Sequence, residues 1–261
     1  MNKELLRVAI KAAKSSSQLI LANFNKPHVV KFKGQTDLVT NTDKQSEKII
    51  VKEILSHFPN HGILAEESVY QEKDSKYLWI IDPLDGTTNF VHGYPSFGVS
   101  IACSFNHEII VAVVLELPSY NIYTAIKNIG SYKNGKSIKV SKVNTLNNSL
   151  LVTGFGYNHD TNWEKNMKLF KHFTNITQGV RRLGAASVDL CHLASGVVDG
   201  FWEFDLKPWD ISAGYLIVKE AGGFITKLDG TDFSIFDNQI LATNKKIHND
   251  IILNIDKQIN L

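Results

Sequence analysis

The first half of the chain contains the segment Tyr77-Leu78-Trp79-Ile80-Ile81-Asp82-Pro83-Leu84-Asp85-Gly86-Thr87-Thr88-Asn89-Phe90. It opens with a short apolar run, as a buried β-strand does. Because Pro83 has no amide hydrogen and fixes its own φ, the strand is predicted to stop there and the chain to turn. Such a turn brings Asp82 and Asp85 towards one point, with the Leu84 carbonyl beside them. Oxygen ligands of this kind suit a hard cation such as Mg²⁺.

The residues after this turn suit an anion. Gly86 lets the backbone approach a ligand closely, and the hydroxyls of Thr87 and Thr88, with nearby amides, can hydrogen-bond an anion. A cation site joined to an anion site is the arrangement that a metal-assisted phosphate enzyme requires. The alternative interpretation is a purely structural turn, because Asp-Pro and Asp-Gly pairs are ordinary turn formers.

The composition is that of a globular protein with ample core. Over 261 residues, 28 basic and 26 acidic side chains give a net charge of +2, which gives no sign of a nucleic-acid binder. Cys103 and Cys191 lie in apolar segments and are predicted to be buried free thiols. No apolar stretch is long enough to span a membrane, and we expect a cytoplasmic protein, or one of an organelle stroma if a transit peptide has been removed.

Apolar periodicity predicts helices over 3–24 and 43–58 in the first half, the second capped by Asn41 or Thr42. Short strands are predicted at 63–65 and 78–81, then antiparallel strands at 97–105, 108–117 and 121–127. Asn134-Gly135 predicts a hairpin between 131–132 and 138–140.

The second half alternates between the two kinds of element. Strands are predicted near 149–154, 179–183, 197–204, 224–227 and 239–242, and helices at 163–173, 185–194, 211–221 and from about 247. This mixed order predicts a layered α/β protein with two sheets. We expect one domain over 1–261, with a metal-site half at about 1–145 and an alternating half at about 146–261.

Three further acidic residues are candidates, and each has a structural alternative. Glu66 follows a predicted strand, where loops gather into sites, but alone it could be a solvated loop carboxylate. Asp210 precedes a predicted helix and could simply be its N-cap. Asp43 also lies at a helix start, where the dipole favours an acid, and as a functional residue it could orient a threonine hydroxyl and help to deprotonate a water.

The combination of motifs is more specific than any one of them. The motifs are Asp37–Asp43, Ala65-Glu66-Glu67-Ser68, Asp82–Phe90, Arg181-Arg182-Leu183-Gly184-Ala185-Ala186, Trp209-Asp210-Ile211-Ser212-Ala213-Gly214 and Glu220-Ala221-Gly222-Gly223. Together, in this order and over nearly the whole chain, they resemble the inositol monophosphatase family. The double arginine and Phe201-Trp202-Glu203-Phe204 are most similar to bacterial and plastid-type members.

The resemblance implies a set of roles. Glu66, Asp82 and the Leu84 carbonyl would hold a first Mg²⁺. A second would be held by Asp82, Asp85 and Asp210, and Glu66 would reach a weaker third ion. Thr87 paired with Asp43 would activate the attacking water, so that Asp43, Glu66 and Thr87 form the catalytic set.

Substrate contacts follow from the same resemblance. The phosphate would be bound by Gly86, Thr87 and Thr88. The alcohol side would be lined by Gly184, Ala185, Ala186, Glu203 and Arg181, with Asp210 beside it. The resemblance also implies an αβαβα sandwich, a homodimer and inhibition by lithium.

We therefore predict a Mg²⁺-dependent phosphomonoesterase that converts inositol 1-phosphate into inositol and phosphate. Fructose 1,6-bisphosphate, histidinol phosphate, galactose 1-phosphate and 3′-phosphoadenosine 5′-phosphate are alternative substrates. A regulatory or binding protein that retains the pocket is the alternative from another class. The chain contains no phosphate-binding Gly-x-x-x-x-Gly-Lys loop and no Gly-x-Gly-x-x-Gly turn, which disfavours a kinase or a dinucleotide enzyme.

Overall fold

A computed structural model describes residues 1–27, 30–32, 38–68 and 75–259. These residues form seven α-helices, which are α1 (Asn2–Asn23), α2 (Asn41–His57), α3 (Thr87–Val91), α4 (Thr161–Ile176), α5 (Ala186–Ala194), α6 (Pro208–Glu220) and α7 (His248–Ile259). A short 3₁₀ turn spans Leu146–Asn148. None of the helices in the described ranges has the length and apolarity needed to cross a membrane.

The same residues form fourteen strands in three sheets. The strands are β1 (Val30–Phe32), β2 (Leu38–Thr40), β3 (Gly62–Ala65), β4 (Tyr77–Asp85), β5 (Phe97–Phe105), β6 (Glu108–Leu117), β7 (Asn121–Ile126), β8 (Gly130–Lys133), β9 (Lys136–Ser137), β10 (Leu150–Thr153), β11 (Gly179–Arg181), β12 (Gly200–Phe204), β13 (Phe224–Thr226) and β14 (Gln239–Thr243).

The first large sheet has seven strands in the order β3-β4-β5-β6-β7-β8-β9, and only the β3–β4 pair is parallel. The second has five strands in the order β11-β10-β12-β14-β13, in which β10 lies parallel to both β11 and β12. The small β1–β2 ribbon is antiparallel. It was not predicted, and the predicted motif residue Asp37 beside it lies outside the described residues.

Three hydrophobic cores separate five layers. The first lies between α1 and α2 and one face of the seven-stranded sheet. The second lies between the other face of that sheet, α5 and α6, and the five-stranded sheet, and the third lies between that sheet and α4 and α7. Successive side chains of a strand point to opposite faces of the sheet, so one strand contributes to two cores. Trp79 and Ile81 enter the first core, and Ile80 enters the second. The layered αβαβα sandwich is thus confirmed.

The predicted end of the strand at Pro83 is wrong, since β4 continues to Asp85. The neighbouring strand β3 ends at Ala65, opposite Ile81, so that β4 has a strand partner on one side only beyond this point. Pairing with β5 also shifts between Asp82 and Asp85. A proline is tolerated at such an irregularity because its missing N–H is not needed by the ladder.

Two helix starts also differ from the prediction. The cap of α2 is Thr40, whose side chain accepts a hydrogen bond from the Thr42 amide. Helix α6 begins at Pro208, so that Asp210 lies inside its first turn and accepts a hydrogen bond from the Lys207 amide. Proline is favoured in the first turn because its missing N–H has no partner there.

The Asn134-Gly135 turn is confirmed, with φ of 51° and 77°. Its second strand is Lys136–Ser137, and the predicted strand at 138–140 is wrong. Cys103 and Cys191 are buried free thiols, as predicted.

Candidate active site

The end of β4 places two aspartates in the interior. Asp82 is 2% exposed and Asp85 is 9% exposed. The Leu84 amide donates to Asp82 Oδ1 at 3.0 Å. Asp85 Oδ2 accepts hydrogen bonds from the amide of Ser187, at 2.7 Å, and from its hydroxyl, at 2.6 Å. The irregular pairing at Pro83 therefore turns two side chains of one strand end inward, and the first turn of α5 holds one of them.

Asp210 and Glu66 approach the same region from other elements. Asp210 is held by the Lys207 amide, which donates to its Oδ2 at 2.6 Å. Glu66 directly follows β3, and its amide donates to the Ile81 carbonyl at 3.3 Å, one residue before Asp82. The residue after β3, the end of β4 and the first turn of α6 thus supply acidic residues to one region, where their charges act on one another.

Burial and neighbouring negative charges raise the pKa values of these carboxylates. Burial raises the pKa of Asp82 well above its usual value, and the negative charges of Glu66, Asp85 and Asp210 raise it further. Burial also raises the pKa of Asp85 to about 6, against the opposing effect of the Ser187 hydrogen bonds. The pKa of Asp210 is raised by burial and by the charges of Asp85 and Glu66. Concentrated negative charge in a buried site favours protons or cations.

The donor set matches a hard divalent cation in chemistry, since every candidate ligand is a carboxylate or carbonyl oxygen. As the side chains stand, no three acidic, histidine or cysteine residues in the described ranges are arranged around one point as a ligand set. Instead, Asp82, Asp85 and Asp210 are each held by N–H donors of the protein. Neighbouring carboxylates repel one another, and a hydrogen bond from a protein N–H to each of them offsets part of that repulsion.

Thr87 and Asp43 form the pair that the sequence predicted. Thr87 Oγ1 lies 2.8 Å from Asp43 Oδ1 and 3.0 Å from the Leu84 carbonyl oxygen. The other oxygen of Asp43 accepts from the Thr40 amide at 2.9 Å and from the Thr40 hydroxyl at 2.5 Å. Asp43 is fully buried, and these contacts fix it as a hydrogen-bond acceptor beside the Thr87 hydroxyl.

The turn at Gly86 lies against the loop before α5. Gly86 has φ of 84°, and a Cβ there would be 3.0 Å from the Ser96 carbonyl oxygen and 3.2 Å from the Ala185 Cβ and the Gly184 carbonyl oxygen. Asn89 joins the two segments by donating to the carbonyls of Ser96, at 2.6 Å, and Leu183, at 2.7 Å. Both the positive φ and the close approach require glycine at position 86.

The residues predicted to bind the phosphate therefore lie next to those predicted to bind the alcohol. Thr88 is the half-buried second residue of α3, whereas Ala185 and Ala186 are buried at the start of α5.

Glu203 lies on β12 with its carboxylate directly over Gly154. A Cβ on Gly154 would be only 2.1 Å from Glu203 Oε1. Burial raises the pKa of Glu203, as do the charges of Asp189, Asp210 and Asp85. The carboxylate of Asp189, on α5, is 1% exposed, and neither of its oxygens has a hydrogen-bond partner within the part of the chain that the structure describes.

Arg181 makes no ion pair with a carboxylate among the described residues. It is exposed on β11, and its Nη1 would be 3.1 Å from a Cβ built on Gly179. The neighbouring Arg182 is the arginine whose charge lowers the pKa of Asp189 and Glu203. A substrate contact by Arg181 remains a prediction without support from this geometry.

The sequence profile of the inositol monophosphatase family matches residues 1–260. The chain belongs to this family. Members of the inositol monophosphatase family are phosphatases of small phosphate esters and are generally metal-dependent, which agrees with a buried cluster of carboxylates beside a glycine turn.

Three relatives of this inositol monophosphatase family member carry different names. "Phosphatase IMPL1, chloroplastic" of Arabidopsis thaliana is 47% identical over 251 residues, covering 94% of this chain and 68% of the relative. "Fructose-1,6-bisphosphatase/inositol-1-monophosphatase" of Aquifex aeolicus is 41% identical over 259 residues, covering 98% and 96%. "Nus factor SuhB" of Pseudomonas aeruginosa is 37% identical over 262 residues, covering 98% and 97%.

Two solved structures of the family have the same fold as this chain. The SuhB protein of Bartonella henselae superposes with a TM-score of 0.93 at 33% identity, covering 97% of this chain and 99% of the other. The inositol monophosphatase of Anabaena superposes with a TM-score of 0.87 at 38% identity, covering 98% and 96%. The αβαβα architecture is thus that of the family.

Four side chains that shape this inositol monophosphatase site were not among the predicted site residues. They are Ser46 and Glu47 on α2, Ser187 on α5, and Arg182. The signal for the first two was present, because Asp43, Ser46, Glu47, Ile50 and Ile54 follow one helical stripe and all are buried. Polar residues at the start of a helical face whose later positions are apolar core residues indicate that a site lies beside the start of the helix. Ser187 had no such signal, since only the tertiary structure puts it 2.6 Å from Asp85.

Proposed function

We propose that this protein hydrolyses inositol 1-phosphate to inositol and phosphate in a Mg²⁺-dependent reaction. The observation that carries the proposal is the buried group of Asp82, Asp85 and Asp210. Burial raises the pKa of all three, and the charges of Asp85 and Glu66 raise the pKa of Asp82 and of Asp210 further. A dianionic phosphate ester would be repelled by these carboxylates unless cations were bound among them. The proposed ligands are Glu66, Asp82, Asp85, Asp210 and the Leu84 carbonyl, for two to three Mg²⁺ ions.

Bound Mg²⁺ would supply positive charge for the phosphoryl group and acidify a water molecule. Thr87 and Asp43 would then handle the proton. Asp43 accepts the Thr87 hydroxyl hydrogen at 2.8 Å, which leaves the lone pairs of Thr87 Oγ1 to accept a hydrogen bond from the attacking water. The Thr40 contacts hold Asp43 in place, so that Thr87 is oriented before substrate arrives.

The phosphate is assigned to the turn at Gly86. The amides of Thr87 and Thr88 belong to the first turn of α3 and have no partner within the helix. With the Thr88 hydroxyl they are suitable donors for phosphoryl oxygens. The alcohol is assigned to the adjoining Gly184–Ala186 segment and to Glu203, a carboxylate that can accept hydrogen bonds from ring hydroxyls. A homodimer and lithium sensitivity are proposed from family membership, as is a cytoplasmic location, with the plastid stroma as the alternative that the Arabidopsis relative raises.

The test is a phosphate-release assay on the purified protein with a panel of esters at matched concentration. Inositol 1-phosphate is expected to give the highest kcat/KM, and activity is expected to vanish with a chelator and return with Mg²⁺. Asp85→Asn should abolish turnover, whereas Asp256→Asn, an exposed carboxylate on α7, should not. Equal or better kcat/KM on fructose 1,6-bisphosphate, favoured by the Aquifex relative's name, or on histidinol phosphate, galactose 1-phosphate or 3′-phosphoadenosine 5′-phosphate, would replace the inositol assignment.

A second candidate function is suggested by the relatives named Nus factor SuhB. In that case the protein would act through a protein partner and keep the pocket for another purpose. Asp85→Asn separates the two possibilities in the source cell. A biological effect that survives the loss of turnover supports the partner-binding function, and an effect lost in parallel supports the phosphatase.

A further inference from the structure

Helix α2 turns a polar, buried face towards the candidate site. Asp43 and Ser46 are fully buried on it, and Glu47 is 1% exposed. Positions i, i+3 and i+4 lie on one side of a helix, so these three side chains form a continuous patch. Burial of such groups is unfavourable unless each is hydrogen-bonded, and all three are.

Each of these side chains binds a different segment of the site. Asp43 accepts from Thr87, as described above. Ser46 Oγ donates to the Pro83 carbonyl at 2.7 Å, between Asp82 and Asp85. Glu47 Oε2 accepts from the Glu67 amide at 2.8 Å, and Glu47 Oε1 accepts from the Ser68 hydroxyl. One helix face therefore contacts three of the four segments that carry the proposed cation and water ligands, and the fourth is the first turn of α6 with Asp210.

The hydrogen bonds of Glu47 among the described residues all go to one short segment. Within the described ranges it makes no ion pair, and both of its hydrogen bonds go to the two residues that follow Glu66. A buried carboxylate with no cationic partner in the described part of the chain is an unfavourable choice for stability alone. Its chemistry suits a different task, because its two oxygens accept from an amide and a hydroxyl on consecutive residues and so fix a chain segment in two places.

We propose that Glu47 is a positioning residue that holds the Glu66–Ser68 segment and thereby sets the affinity of the site for its divalent cation. The inference rests on the proposed function, in which Glu66 is a cation ligand. Because Glu47 touches neither the turn at Gly86 nor Glu203, it acts on cation binding and not on recognition of the ester. Loss of the anchor lets Glu66 leave its place, which weakens the cation without removing a ligand.

The test measures Mg²⁺ binding by calorimetry without substrate, and the Mg²⁺ dependence of phosphate release, for Glu47→Gln and Ser68→Ala. Glu47→Gln keeps the shape of the side chain but leaves one oxygen to serve two donors. The Mg²⁺ dissociation constant and the half-saturating Mg²⁺ concentration are expected to rise about tenfold for Glu47→Gln, and by less for Ser68→Ala, which loses one contact. At saturating Mg²⁺, kcat and KM for the ester should return close to wild type.

Glu53→Gln is the matched control, since Glu53 lies on the same helix but pairs with Lys11, 2.7 Å away. This variant should leave the Mg²⁺ titration unchanged. Wild-type Mg²⁺ affinity in a folded Glu47→Gln, or a rise in KM for the ester at saturating Mg²⁺ with no change in Mg²⁺ affinity, would overturn the role of Glu47. If Glu47→Gln does not fold, Ser68→Ala decides by the same criteria. A wild-type protein that neither binds Mg²⁺ nor releases phosphate would instead overturn the proposed function, and the inference with it.

Discussion

The substitution Gly154→Ala tests whether the carboxylate of Glu203 recognises the alcohol part of the substrate. The new Cβ would lie 2.1 Å from Glu203 Oε1 and 2.3 Å from its Cδ and Oε2, whereas ordinary contacts begin at 3.4 Å. The Glu203 carboxylate must therefore move by about an ångström, which is enough to break a hydrogen bond to a substrate hydroxyl. The atoms that collide are the far end of a flexible side chain, so the strand itself is expected to keep its place.

A displaced Glu203 loses its hydrogen bond to a substrate hydroxyl. A hydrogen bond to a charged group contributes about 1.5–3 kcal/mol. This corresponds to a loss of about tenfold to a hundredfold in kcat/KM, at about 1.4 kcal/mol per factor of ten. The loss should appear mainly in KM with inositol 1-phosphate. It should be small with p-nitrophenyl phosphate, whose leaving group has no ring hydroxyls.

Steady-state phosphate release with both esters at saturating Mg²⁺ is the assay, together with thermal unfolding. Gly156→Ala is the control, because its Cβ would meet Asp205 Oδ2 at 3.2 Å and not Glu203. An equal loss on the two esters, or a loss no larger than that of Gly156→Ala, would refute the assignment of Glu203 to the alcohol.

Two other predictions concern the cation and the proton. The pKa of Asp85 is raised to about 6 from 3.8, so the stability contributed by its protonated form is complete below about pH 4 and is lost as the pH rises through about 6. Because Mg²⁺ binds the ionised form, we expect Mg²⁺ to raise the Tm more at about pH 7.5 than at about pH 5. Thermal unfolding that shows the same rise in Tm at both pH values would contradict this. Thr87→Ala is expected to lower kcat by about 10²–10⁴ with little change in the Tm, since it removes the hydroxyl that Asp43 orients, while Thr87→Ser should recover most of it. Rate measurements at saturating Mg²⁺ that find Thr87→Ala as active as Thr87→Ser would exclude the proton-handling role.

Local rules succeeded where the deciding interactions are close in sequence. Turn chemistry located the Asn134-Gly135 hairpin, and apolar spacing located α1 and α2 to within a few residues. The same rules failed at Pro83, because the cost of a missing amide depends on whether another strand lies beside it. That in turn depends on β3 ending at Ala65, which is a property of a neighbouring strand and not of the proline.

The amino-acid order was sufficient to indicate the family and to find the acidic residues at the ends of strands and helices. The pairing of Asp43 with Thr87 followed from the family resemblance. The folded arrangement alone revealed that Ser187 binds Asp85 and that Glu47 binds the segment after Glu66. The physical reason is distance along the chain. Contacts between residues of different layers depend on how sheets and helices pack as bodies, and periodicity within a single element carries no record of that packing.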